Sequence, residues 1–320
     1  MAITDDPSPS AVEPHQQSHR ASLCVLASGS SGNCTVLKLE RGGVTRLALI
    51  DLGLSPRRTF KLLAELGLRP DQIDDCLVTH LDGDHFHSGW RRQMPGHARV
   101  WLHDRHARAA GAWGWMSDPW AGGVRAFEDD FALEEDVLVR PLLMPHDELG
   151  VSAFRIDLGE MFGAGRCVSL GFATDLGRVH AGLTEHFCGG AEDGSSGPVD
   201  VLAIESNYCP VMQHASRRSE ALKRRVMGGY GHLSNQEALS AVLQIEPREH
   251  VVLLHLSREC NDPAVASALH AGADYALTIS SQERPTRWVR IGPTVRIGSV
   301  APVEPSSRES VGTGLLWSGM

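Results

Sequence analysis

From Ser22 onward the chain alternates short apolar runs with breaks rich in Gly and Asp, and two periodicities can be read along it. LCVLA (23–27), TVLKLE (35–40) and RLALIDLG (46–53) have the length and β-branched content of strands. SPRRTFKLLAELGL (55–68) changes to helical spacing, with Ser55 in the capping position and Pro56 at the first helical residue. CLVTH (76–80) is an apolar strand that runs straight into a polar loop, and ARVWLH (98–103), VLVRPLLM (137–144), GVSAFRIDL (150–158) and RCVSLGFATD (166–175) continue the series. VDVLAIES (199–206) is apolar without alternation, as a strand buried on both faces would be. Helices are predicted over ASRRSEALKRRVM (215–227), NQEALSAVLQI (235–245) and DPAVASALHAG (262–272), the last capped by Asp262. HVVLLHLS (250–257), DYALTI (274–279) and TRWVRI (286–291) complete the strands. The Gly/Trp-rich stretch 111–123 fits neither period.

The pattern passes twice from strand-rich to helical texture. That predicts an α/β protein with two sheets, each covered by helices on its outer face, in a four-layer αββα sandwich. Residues 1–20 are polar and rich in Pro and Ser and read as a disordered leader. Residues 21–292 read as the folded domain, and 293–320 as a loosely attached tail. Composition adds exclusions. The 320 residues hold no run of eighteen apolar positions, so a membrane-spanning helix is not expected, and the first residues lack the apolar core of a secretory signal. The net charge of -9 argues against bulk electrostatic coating of nucleic acid but leaves room for a local basic groove. Seven cysteines, an odd count without a CxxC pair, read as reduced thiols of a cytoplasmic protein.

Sixteen histidines are present, and their placement is more telling than their number. In Thr79-His80-Leu81-Asp82-Gly83-Asp84-His85-Phe86-His87-Ser88-Gly89, four metal-ligand types (His80, Asp82, Asp84 and His85) follow a strand within six residues. Such a loop can aim ligands in two directions and serve two metals about 3.5–4 Å apart. By itself it also fits a solvated acidic loop. Asp51, His146, Asp175 and His255 each fall at or just past the end of a predicted strand, and strand ends converge on the sheet edge where α/β folds place their sites. Any one of them alone would more often be a structural residue.

These residues in this order resemble the metallo-β-lactamase fold superfamily, whose signature is HxHxDH followed by a separate His, Asp and His. The resemblance spans about residues 21–292. Further motifs are similar to those of the YycJ/WalJ-like branch of metallohydrolases, predicted exonucleases distantly related to ribonuclease Z. These are SGSSGN (28–33), IDLG (50–53), PHD (145–147), TDLG (174–177), ESNY (205–208), LKRR (222–225), GHLSN (231–235) and HLS (255–257). The resemblance implies one or two divalent ions (Zn2+, Mn2+ or Fe2+). His80 and His146 would bind one, Asp84, His85 and His255 the other, with Asp175 bridging and Asp51 orienting a ligand. Asp82 stands where the family carries a second histidine; counted as a ligand, it is a harder donor that favours manganese or iron over zinc. Cys209, where the branch commonly has aspartate, reads as an ordinary buried thiol.

Such a site implies a hydrolase using a metal-activated hydroxide. Asp84, besides ligating, and His232 of GHLSN are the catalytic candidates, His232 as proton source for the leaving oxygen. GHLSN also reads as a helix cap through Ser234 or Asn235. The basic stretch Arg217, Arg218, Lys223, Arg224 and Arg225 is by default a solvated helix face, but beside a metal site it could hold a nucleic-acid backbone. Trp113, Trp115 and Trp120 either line a substrate entrance or anchor their insertion on the core. The expectation is a phosphodiesterase or nuclease, with DNA exonuclease as its sharpest form, acting on a nucleic acid and not at a membrane. A small-molecule ester, thioester or lactone hydrolase and a non-catalytic binding protein are the competing readings.

Overall fold

In a computed structural model the chain is described over residues 19–114, 123–163, 165–189 and 197–293. The leader before His19, the tail after Pro293 and positions 115–122 of the Trp-rich insertion, with Trp115 and Trp120, lie outside those residues.

The first half supplies strands β1 (Arg20–Ala27), β2 (Cys34–Arg41), β3 (Val44–Ile50), β4 (Ile73–Leu77), β5 (Arg99–His103) and β6 (Val124–Phe127), with helices α1 (Pro56–Glu65), α2 (Trp90–Gln93) and α3 (Asp104–Ala112) between them. The second half supplies β7 (Phe131–Glu134), β8 (Val137–Met144), β9 (Val151–Leu158), β10 (Val168–Ala173), β11 (Val201–Glu205), β12 (His250–Leu254) and β13 (Ala276–Ile279). Its helices are α4 (Ala181–Cys188), α5 (Pro210–Ala215), α6 (Glu220–Met227), α7 (Asn235–Ile245) and α8 (Pro263–Ala268). The last strand, β14 (Val289–Ile291), crosses back and pairs with β1. Two seven-stranded sheets result, ordered β14-β1-β2-β3-β4-β5-β6 and β13-β12-β11-β10-β9-β8-β7.

Strand alternation decides which face each side chain covers. In β11 and β12, Val201, Ala203, Val252 and Leu254 face the first sheet across the central core, where they meet Leu23, Val25, Leu37, Ile50 and Leu77. Their neighbours Leu202, Ile204, Val251 and Leu253 face outward and are covered by Leu183 and Phe187 of α4 and by Ala241, Val242 and Ile245 of α7. On the far side, Leu62 and Leu63 of α1 cover Val36, Leu47 and Leu49. The expected αββα sandwich is therefore the fold.

Three details differ from the sequence pattern. The predicted helix 215–227 is shorter: α5 ends at Ala215 with Ser216 extended, and helix resumes only at Glu220, where Ser219 accepts from the Leu222 amide as N-cap. CLVTH leaves the sheet after Leu77, since Asp51 accepts hydrogen bonds from both the amide and the hydroxyl of Thr79 and turns the chain towards the site. TRWVRI does not extend the second sheet but closes the first.

The loops at the carboxyl ends of β1, β3 and β4 are stacked without slack. Asn33 N–H donates to the Asp84 carbonyl, Gly53 N–H to the Asn33 carbonyl, and Leu52 N–H to the His85 carbonyl. A Cβ on Gly53 would lie 1.6 Å from the Asp84 carbonyl oxygen. Gly53→Ala is therefore expected to lower stability by about 1–3 kcal/mol, read as a drop in the urea midpoint; an unchanged midpoint would mean that the 82–87 loop is not held by this contact.

Candidate metal centre

Three neighbouring parallel strands of the second sheet deliver residues to one point: Asp175 two residues beyond β10, Glu205 at the end of β11 and His255 just beyond β12. His146 arrives from the end of β8. The first sheet contributes Asp51 after β3 and the loop after β4. The two edges are joined locally, as Ser152 N–H donates to the Thr79 carbonyl and His255 N–H to Ser28 Oγ.

The donor atoms fall into three overlapping groups, each within 4.8 Å: His80, His146 and Asp175; Asp84, His85 and His255; and Asp175, Glu205, His232 and His255. The first two are the two sets that the resemblance implied, and Asp175 stands in the set with His80 and His146 while its Oδ2 is 3.0 Å from His85 Nε2. Asp82 belongs to no group; it is half exposed, with Oδ2 3.8 Å from His80 Nε2, on the wall of the overlying pocket.

Orientation is set from behind. Asp51 Oδ2 accepts from His85 Nδ1 at 2.7 Å, which fixes the tautomer that leaves Nε2 towards the cluster. Glu205, fully buried, accepts the amides of Leu176 (2.6 Å) and Leu233 (3.0 Å) with one oxygen and faces His232 Nδ1 at 3.1 Å with the other. Asn33 places its amide nitrogen 2.9 Å from His85 Nε2. No role was expected for Glu205 or Asn33, although both lie within motifs already singled out; a buried strand ending in a carboxylate is the signal that marked Glu205. The loop 28–33 thus supports the cluster from both ends, through Ser28 on the His255 amide and Asn33 beside His85. Asp51, Asp175 and His255 all have left-handed backbone, with φ of 64°, 54° and 56°, a conformation that costs non-glycine residues about 1–3 kcal/mol each where the surroundings enforce it.

The residues fit divalent ions. His80 Nε2, His146 Nδ1 and both ring nitrogens of His255 are buried without a hydrogen-bond partner, a costly state for polar atoms unless something else satisfies them. Charge argues the same way. Burial opposes charge on Asp175, yet His255 and His85 hold its carboxyl well below the usual range. Glu205 and Asp84 are also lowered against burial, chiefly by the His232 ring hydrogen-bonded to Glu205 and by the His255 ring 3.6 Å from Asp84. In return, and again against burial, Asp51 and Asp175 raise His85 well above its ordinary value, and Asp175 with Asp84 pushes His255 up to about 10. His80 goes the other way, lowered by burial and by His85. Without metal, protons on His85 and His255 neutralise the carboxylates; a divalent ion would displace them.

The cluster floors a cavity of about 190 Å³ lined by Asp82, Asp84, His146, Asp175, His232, His255, Ser30, Leu222, Arg225, Val226 and Gly231. Of the basic stretch, only Arg225 reaches it. Arg218 pairs with Glu259, and Lys223 is buried with its ammonium on the His214 carbonyl. No helix among the described residues is long and apolar enough to cross a membrane.

Residues 27–162 match the metallo-beta-lactamase superfamily, the stretch that brings Asp51, His80, Asp84, His85 and His146. The chain carries a metallo-β-lactamase superfamily domain. It is a metal-dependent hydrolase of that superfamily. It is 26% identical over 248 residues to the exodeoxyribonuclease WalJ of Streptococcus pneumoniae, covering 74% of this chain and 82% of that protein. It is 25% identical over 245 residues to the exodeoxyribonuclease YycJ of Bacillus anthracis, covering 74% and 83%. Among solved structures, Zn(2+)-bound PqqB from Methylobacterium extorquens shares the fold with a TM-score of 0.60 at 14% identity, over 83% of this chain and 99% of that one.

The raised His85 and His255 make metal and proton competitors. Metal uptake by metal-free protein near pH 7.5 is expected to release at least one proton per chain, and affinity to fall up to about tenfold for each unit by which the pH is lowered, per proton displaced. Calorimetry in buffers of different ionisation enthalpy reads this directly; uptake with no proton release would mean that both rings are already neutral.

Proposed function

We propose that this protein is a nucleic-acid phosphodiesterase, an exonuclease acting on DNA in its sharpest form. The observation that carries the reading is the composition of the pocket wall: a cationic side chain, Arg225, and a histidine held by a buried carboxylate, His232, face the histidine–carboxylate cluster across one small cavity. The names of the WalJ and YycJ relatives point to the same substrate. His80, His146 and Asp175 would hold one ion, and Asp84, His85 and His255 the other. Bound there, divalent ions supply the acidity that activates water at neutral pH and neutralise charge on phosphoryl oxygens.

The chain's own residues do the rest. Asp51 keeps His85 in the tautomer that presents Nε2. Glu205 engages His232 Nδ1, so the ring would give a proton to the leaving oxygen from Nε2 as an imidazolium, the charged form that the Glu205 carboxylate favours. Arg225, the one Lys or Arg among the residues that line the cavity, offers a positive charge to a phosphate. Asp82, at the rim beside His80, tunes the first ion towards manganese or iron.

Digestion of end-labelled single- and double-stranded DNA and RNA, with manganese, zinc or magnesium added in turn and EDTA as control, tests the reading. Metal-dependent cleavage is expected. His85→Ala and Asp175→Ala are expected to abolish it, and His232→Ala to lower kcat by about 10²–10⁴-fold. A metal-loaded protein that cleaves no nucleic acid but hydrolyses small esters or lactones would overturn the assignment. Asp82→His is expected to keep activity and shift the preferred metal towards zinc; if Asp82→His and Asp82→Ala both match the wild type with every metal, Asp82 is not a ligand.

A further inference from the structure

The segment that joins α6 to His232 is Gly228-Gly229-Tyr230-Gly231, and its glycines are required by close packing. Gly229 has φ of 81°. A Cβ on Gly231 would lie 2.5 Å from the Arg225 carbonyl and 2.6 Å from Val226 Cα, so the segment is pressed against α6. On its other side, a Cβ on Gly177 would lie 2.3 Å from the Gly229 carbonyl and 2.6 Å from Tyr230 Cα. Gly177 is two residues from Asp175, so the segment is clamped between α6 and the loop that brings Asp175 to the cluster. His232 N–H donates to the Val226 carbonyl and closes the turn.

Tyr230 is the only residue of this four-residue run with a side chain, and that side chain is 66% exposed. It immediately precedes two residues of the pocket wall, Gly231 and His232. Leu222, on the same wall and 41% exposed, adds apolar surface, and Arg225 adds charge. The backbone here is over-determined, and the residue it carries is exposed, one position before the pocket wall. Such a ring loses little freedom on receiving a flat partner. A nucleotide offers both complements: a phosphate for Arg225 and an aromatic face for Tyr230.

We propose that Tyr230, Leu222 and Arg225 form a nucleotide-binding lip on the metal pocket, in which Tyr230 stacks on a base of the substrate strand while Arg225 holds a phosphate. The proposal rests on the phosphodiesterase reading and specifies how a strand is gripped: through a base face, without regard to which base it is. It also resolves how a chain with few aromatic residues engages a strand, since one ring at the mouth replaces an extended stacking platform.

The test is steady-state cleavage of two end-labelled single-stranded DNA oligonucleotides, identical except that one carries abasic units over its terminal positions, by wild-type protein and by Tyr230→Ala, Tyr230→Phe and Arg225→Gln. On the normal strand, Tyr230→Ala is expected to raise KM roughly 5- to 30-fold with kcat within about twofold, and Tyr230→Phe to match the wild type. On the abasic strand, Tyr230→Ala is expected to match the wild type, because there is no base to lose, whereas Arg225→Gln raises KM on both. An active nuclease whose KM is indifferent to Tyr230→Ala, or affected equally on both strands, overturns the stacking role and leaves the phosphodiesterase reading standing. An Arg225→Gln protein with wild-type KM overturns the phosphate contact. Wild-type protein that cleaves neither strand with any metal overturns the lip, and the phosphodiesterase reading falls with it if double-stranded DNA and RNA are also left intact.

Discussion

Two buried carboxylates, Asp175 and Glu205, are brought against one another where water is largely excluded, with the partly exposed Asp84 across His255 from them, and the rest of the site answers that constraint. Buried like charges are tolerated only with compensation. Here it comes from His85 and His255, which hold the carboxyls ionised, and from a ring of backbone amides and hydroxyls: Leu176 and Leu233 on Glu205, and Thr79 on Asp51. Histidine nitrogens without partners in the same cluster show that the compensation is incomplete without an ion. Such an arrangement is unstable as a simple polar core and sensible as a cation site.

Holding it together is expensive in backbone terms. Asp51, Asp175 and His255 end strands from both sheets, and each is bent into left-handed geometry. What enforces the bend is the sandwich behind it. The central core fixes β3, β10 and β12 through Ile50, Leu170 and Leu254, so the residue after each strand has little choice of direction. Hydrogen bonds then lock the outcome, with Asn207 donating to the His255 carbonyl and Ser28 accepting the His255 amide. Rigid sheets thus pre-position donors whose mutual repulsion would scatter them in a loop-built site.

The same rigidity shapes the substrate face. Glycines at 177 and 231 let the α6–α7 connection lie flat on the Asp175 loop, so His232 and Arg225 share a wall with the cluster. Glu205 links the layers, since one carboxylate touches the backbone of both loops and the ring of His232. Charge is used sparingly: of the five basic residues between 217 and 225, one reaches the pocket, and Arg218 and Lys223 are engaged in structural contacts. Net acidity of the chain and a cationic residue on the pocket wall are compatible for that reason.

Local pattern was enough to specify the sandwich and to pick out most of the residues of the cluster. Apolar periodicity is local, and so are capping residues; Ser55, Ser234 and Asp262 cap the helices where the pattern puts them. His80, Asp84, His85, His146, Asp175 and His255 were legible because each follows a strand, and strand ends in such folds share an edge. Tertiary structure alone decided which residues support them. Asn33 and Glu205 act through partners 52 and 27 residues away, a proximity that no local pattern encodes. It also decided that α6 begins at Glu220, that Asp82 stays at the rim outside the ligand groups, and that the last strand returns to the first sheet. In each case several weak local preferences compete, and the choice falls to long-range packing, whose energy exists only once the two sheets have met.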